Sequence, residues 1–263
     1  MQKTRTITLL ILCAITALTA CNAQTNSKPV QAKTEQEKRP MANNLAARIP
    51  APQGYKRVDV TEGSFAHFLR NLPLKPAGSD LHYHTGQVKE RKYAGAVVNM
   101  DFGKSANEQC ADAIIFLRAS YLWETRQYAK ISFCFTNGFK AEYAKWAQGY
   151  RVCNNNAWVK KQKADYGYQS FRKYLNLVFQ YAGPASLSQE LKPIGRCWAT
   201  DIQAGDVIIK GGFPGHAEMV VDVATHLHHL TWMLVHRSVG QLQLHFGIVA
   251  NGSVRSSCLF RHV

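Results

Sequence analysis

The stretch from Gly205 to Asp222, GDVIIKGGFPGHAEMVVD, constrains the fold more than any other part of the chain. Two apolar runs flank a turn that holds Gly211, Gly212, Pro214 and Gly215. Glycine and proline at that density break a helix, so the runs read as two strands joined by a tight reversal. Upstream the pattern is helical. Ser105 to Gln127 carries Ala113, Phe116, Leu117, Ser120 and Tyr121 at helical spacing, and Ser105 with Glu108 makes an S-x-x-E capping box. Tyr168 to Ala182 sets Phe171, Tyr174, Leu175, Val178 and Phe179 on one face, and Gly183-Pro184 ends it. Short strands are expected over Tyr55–Thr61, Tyr93–Phe102 and Lys130–Thr136, with a short helix capped by Ser64 and stopped at Pro73. Helices in the middle and strands at the end, without β-α-β alternation, predict a single α+β domain with a central antiparallel sheet.

The N-terminus has a different character. Lys3 and Arg5 precede the uncharged apolar run Ile7–Ala20, which has the length of a signal-peptide core and is short for a membrane span. The run ends in Leu18-Thr19-Ala20-Cys21, which resembles the lipobox of bacterial lipoproteins. That resemblance implies cleavage after residue 20 and a diacylglyceryl group on Cys21, an anchor to a lipid bilayer. Residues 21–47 are polar, with few large apolar side chains, and read as a flexible tether. The folded domain is then expected over residues 48–222, long enough for one sizeable core.

The net charge is +15, and +13 once Lys3 and Arg5 leave with the signal. No basic cluster is interleaved with aromatic residues, and no zinc-finger or phosphate-loop spacing occurs, so nucleic acid is not an expected partner. A basic surface attracted to anionic envelope polymers fits the charge better. Seven cysteines include Cys13 in the signal and Cys21 in the lipobox. The other five, Cys110, Cys134, Cys153, Cys197 and Cys258, show neither C-x-x-C spacing nor a compact disulfide pattern. No metal or other cofactor is expected, although His82 and His84 on a loop are spaced for ligation.

Chemistry centres on two residues. Cys110 lies near the start of the long helix, where unpaired N–H groups and the helix dipole favour a thiolate. A thiolate nucleophile needs a proton acceptor, and His216, opening a strand after a glycine-rich turn that lets another element approach closely, is the best placed. One geometric tension accompanies this pairing. Regular alternation puts His216 on a face with Glu218, Val220 and Asp222, opposite the more apolar Ala217, Met219 and Val221. A third residue to orient the imidazole is expected on a later strand.

Cys110-Ala111-Asp112-Ala113, the strand Gly205–Ile209 and Gly215-His216-Ala217 resemble the NlpC/P60 and CHAP branch of papain-like cysteine hydrolases. That likeness implies a papain-like fold, with Cys110 as nucleophile and His216 as base in amide or peptide hydrolysis. Cys110 lacks the Asp-Cys-Ser-Gly context of that branch. A closer resemblance, carried by Cys110–Ala113, Phe135–Gly138, Tyr174–Gly183 and Gly211–Ala217, is to the DUF4846 family of bacterial, mostly bacteroidetal, lipoproteins. It implies a single exported, lipid-anchored domain in the cell envelope, expected at the outer membrane, and supplies no reaction. The resemblance is read from about Ile49 to Asp222.

Residues 223–263 stand apart. From Ala224 onward there is no Asp, Glu or Lys, while six of the ten histidines fall there. Three readings are open: a histidine-rich metal segment (His226, His228, His229 and His236), an apolar strand pair (Leu230–Val235 and Leu242–Val249), and a shifted reading frame. The last takes precedence on composition. Two functional classes remain. One is a Cys/His-dependent amidase or peptidase acting on envelope peptide such as peptidoglycan. The other is a non-catalytic envelope protein in which Cys110 is core and His216 a turn residue.

Overall fold

The computed structural model describes residues 43–82, 87–89, 96–102, 110–154, 156–196, 202–210, 215–226, 229–238, 241–248 and 258–261, the last two long strands by their backbone. In chain order the first elements are α1 (Leu45–Arg48), β1 (Lys56–Arg57), α2 (Phe65–Arg70), β2 (Leu81–His82), β3 (Val88–Lys89), β4 (Ala96–Val97) and α3 (Cys110–Glu124). A 3-10 turn at Tyr128–Lys130 leads to β5 (Ser132–Cys134), β6 (Lys140–Glu142), α4 (Tyr143–Ala147), β7 (Tyr150–Cys153) and β8 (Ala157–Lys160). Then come α5 (Tyr168–Tyr181), α6 (Pro184–Glu190), β9 (Lys192–Arg196), β10 (Val207–Lys210) and β11 (His216–His226). β12 (His229–Ser238), β13 (Gln241–Ile248) and β14 (Cys258–Arg261) complete the chain.

The main sheet runs β4-β13-β12-β11-β10-β14-β9, with β1 also on β11. Every pairing in it is antiparallel. The class is α+β, as the order of patterns predicts. β11 is its longest strand, and one edge serves two partners: β10 pairs with His216–Met219 and β1 with Ala224–Thr225. β12 takes the opposite edge from Met219 onward, with a register shift between Val220 and Asp222. The strand pair expected at Leu230–Val235 and Leu242–Val249 falls within β12 and β13, which are zipped to each other from Thr231↔Ile248 to Ser238↔Gln241.

α3 is apolar around most of its circumference and is correspondingly buried, from Ala111 through Phe116 and Leu117 to Leu122. It shares one core with Ala217, Met219 and Val221 of β11 and with α5. α5 is the amphipathic helix expected, burying Phe171, Tyr174, Leu175, Val178 and Phe179. The Tyr174 hydroxyl, fully buried, donates to the Ala141 carbonyl at 2.7 Å, which resolves the cost of taking a phenol out of water. Ser64 caps α2 by accepting from the His67 N–H at 3.1 Å.

Several expectations change. Leu45, placed by composition in the tether, is fully buried in α1, and the Asn43 side chain donates to the Leu74 carbonyl. Ordered structure therefore begins before residue 48, because one buried leucine and side-chain amide bonds can dock a segment that is otherwise polar. The Tyr55–Thr61 strand contracts to Lys56–Arg57, the described part of Tyr93–Phe102 to Ala96–Val97, and Lys130–Thr136 to β5, which turns through Gly138 into β6. The stretch around His82 forms a small hairpin rather than a loop, β2 on β3. Gly183-Pro184 ends α5 but also opens α6, with Pro184 at its first position. The capping box at Ser105 and Glu108, residues 1–42 with the signal and Cys21, His84, His228, and Gly211, Gly212 and Pro214 lie outside the described residues. No helix among the described residues is long and apolar enough to cross a membrane.

Candidate active site

The site forms where α3 meets the first residues of β11. β12 begins its pairing at Met219, so the Ala217 N–H on that edge falls outside the ladder. It donates instead to Cys110 Sγ at 3.2 Å. A backbone N–H aimed at sulfur stabilises negative charge there, as it does for any anion. Cys110 itself is half-buried at the rim of the core.

His216 is the strand's first residue and half-exposed, with a side-chain exposure of 52%. Its imidazole is hydrogen-bonded to the Cys110 thiol, and Nε2 lies 3.2 Å from Glu218 Oε1. The bond to Cys110 is the largest influence on its proton affinity, followed by the bond to Glu218; burial opposes both. Together they push the imidazole up to about 10 from its usual 6.5, so the ring carries its proton through the neutral range. The two residues singled out from sequence are therefore in contact, 106 positions apart in the chain.

The geometric tension is resolved by where contact occurs. Ala217, Met219 and Val221 face the α3 core, as their apolar character requires, while His216 and Glu218 meet on the other face. Cys110 reaches His216 at the strand's end rather than across that face. Gly215, half-buried, immediately precedes the histidine. A third residue on a later strand falls on side chains of β12 and β13 that lie outside the description; Glu218, two residues along the same strand, is what touches the ring. Alternation alone places Glu218 beside His216, so its signal was present in the sequence.

Two ion-pair clusters hold β11, which carries His216, and its neighbour β10. Asp222, almost fully buried, accepts from Arg57 Nε at 2.6 Å and from Arg70 Nε at 2.9 Å. The same arginines also donate to the Ile49 and Val58 carbonyls, so β1, α1 and α2 are fastened to β11 through one carboxylate. Asp206, at the start of β10, accepts from Arg261 Nε at 2.6 Å and Nη2 at 2.8 Å while its Oδ2 also receives the Gln203 N–H. The Gly205-Asp206 pair singled out in the sequence thus serves architecture.

The remaining candidates separate from this site. Cys134 and Cys153 are free, and burial together with Glu190 pushes the Cys134 thiol up. It lines a cavity of about 490 Å³ with Arg118, Lys130, Lys140 and Glu190, and neither Cys110 nor His216 borders that cavity. His226 stacks against Tyr55 with ring centroids 5.4 Å apart, and the described residues contain no cluster of His, Cys, Asp and Glu able to hold a metal ion.

A family model described as "Domain of unknown function (4846)", DUF4846, matches residues 45–256. The match begins at the buried Leu45 and continues past Asp222, where the resemblance read from the sequence stops, so that limit moves to residue 256. Comparison with curated proteins and with solved structures gives no match. With most of its length covered by the family model, the chain belongs to the DUF4846 family.

Proposed function

We propose that this protein is a lipid-anchored envelope hydrolase with a papain-like active centre that cleaves amide or peptide bonds, with peptide of the cell wall as its substrate class. The contact of Cys110 with His216 at the end of β11 carries this reading. Cys110 Sγ attacks the carbonyl carbon with its proton already held on the ring of His216, and backbone N–H groups near the cysteine on α3 hold the developing oxyanion. Collapse of the tetrahedral intermediate breaks the C–N bond, and His216 returns the proton to the leaving amine. Water then attacks the thioester, giving the acid and the free thiol. Cys21 supplies the anchor, and the surplus of basic residues favours anionic envelope polymers.

The test is labelling of the full chain with iodoacetamide, followed by peptide mass spectrometry. Cys110 is expected to react faster than Cys134 and Cys153, and His216→Ala to slow it by about ten-fold or more, since a histidinium beside sulfur is what holds a cysteine as thiolate. Equal rates for all three cysteines would sink the catalytic reading. In its place would stand the non-catalytic envelope protein, which the packing of Cys110 against the core also accommodates. Cys21→Ser is expected to move the protein from the membrane fraction to the soluble fraction.

A further inference from the structure

We propose that Glu218 is the positioning residue for His216, holding the imidazole so that it meets Cys110; this rests on the Cys110–His216 reading. A nucleophile–base pair needs a third group because an imidazole free to rotate about two torsions spends little time facing the sulfur. Papain-like enzymes draw that group from a later strand. Here the carboxylate comes from the same strand, two residues on, where alternation puts it on the histidine's own face.

The contact is Nε2 to Oε1 at 3.2 Å, and the same ring is hydrogen-bonded to Cys110. The pairing is favourable in charge as well as direction, since an anion beside the ring supports the imidazolium. Glu218 is the more sheltered partner, with 21% of its side chain exposed against 52% for His216. Its backbone is fixed by the ladder to Ile208 on β10. Among the described residues, the groups that set the ring's proton affinity are Cys110 from α3 and Glu218 from β11, and Lys210 stands across from His216 in the β10 register.

Because the ring is half in water, the carboxylate's effect is screened, and the low end of the range for a neighbouring opposite charge applies, about one pH unit. The experiment compares the full chain with Glu218→Gln, Glu218→Asp and His216→Ala. It follows the His216 ring by NMR against pH and the iodoacetamide rate at Cys110. Glu218→Gln is expected to lower the His216 midpoint by about one pH unit and to slow Cys110 labelling at neutral pH several-fold, with partial recovery in Glu218→Asp. The Cys134 rate serves as the control for folding and stays unchanged. If Glu218→Gln leaves the midpoint and the rate at their original values while His216→Ala still slows Cys110, the role of Glu218 is overturned and the Cys110–His216 pair stands. If His216→Ala has no effect on Cys110, the pair itself is overturned, and the role of Glu218 with it.

Discussion

Asp222 is a carboxylate with almost no access to water, and it survives there because two guanidinium groups and the Val223 N–H reach it. Removing one partner of a buried charge cluster leaves the others uncompensated, so Asp222→Ala is expected to cost about 3–5 kcal/mol, read by chemical denaturation. His216 makes a different prediction, in pH. Its folded-state affinity for a proton is raised, so the stability it contributes is complete below its unfolded value near 6.5 and disappears as pH rises toward about 10. Denaturation midpoints of the wild type and His216→Ala should therefore converge above pH 10 and separate below about 6.5. At this scale the sequence was readable where a residue's own neighbours define it. His216 begins β11 and Cys110 lies on α3, the element types that local pattern assigns them. Arg57, Arg70 and Arg261 gave no local sign of their roles, since each meets its carboxylate across a long stretch of chain.

Elements were legible in proportion to their length and one-sidedness. α5 has a single apolar face and was bounded almost to the residue. α4 and the β7–β8 hairpin, a few residues each, lack a full period of pattern and were not anticipated. What fixes that hairpin is a glycine rather than an apolar stripe. Gly149 has φ +95° and its carbonyl accepts from both the Lys161 and Gln162 N–H groups. A β-carbon there would stand 2.1 Å from the Gln162 carbonyl oxygen. Gly149→Ala is therefore expected to destabilise the protein by more than about 2 kcal/mol, because the clash adds to a left-handed backbone an alanine resists. By contrast, Ser64→Ala removes one capping bond from a half-exposed helix start and should cost only about 1 kcal/mol in thermal unfolding. Both short N-terminal helices combine a side-chain cap with one buried leucine, Asn44 with Leu45 in α1 and Ser64 with Leu69 in α2.

At the scale of the molecule, the compositional oddity of residues 223–263 meets a structural role. β12 and β13 lie inside the sheet, between β11 and β4, and β14 lies between β10 and β9. A chain ended after His226 loses three strands, takes the sheet partners from β4 and β9, and bares one edge each of β10 and β11. We expect such a truncation to aggregate on expression, where the full chain is recovered folded. The out-of-frame reading of this segment has its own test: an alternating strand pattern in either of the other two frames past codon 222 would establish it. The sheet's order has a temporal consequence. β4 at residues 96–97 finds its partner only at 243–244, and β9 and β10 each wait for β14 at 258–261. A chain emerging from its N-terminus thus holds α3 and its cysteine without β11 to lie against until residue 226. The Cys110–His216 contact can therefore form only after β11 is made, 106 residues behind the cysteine.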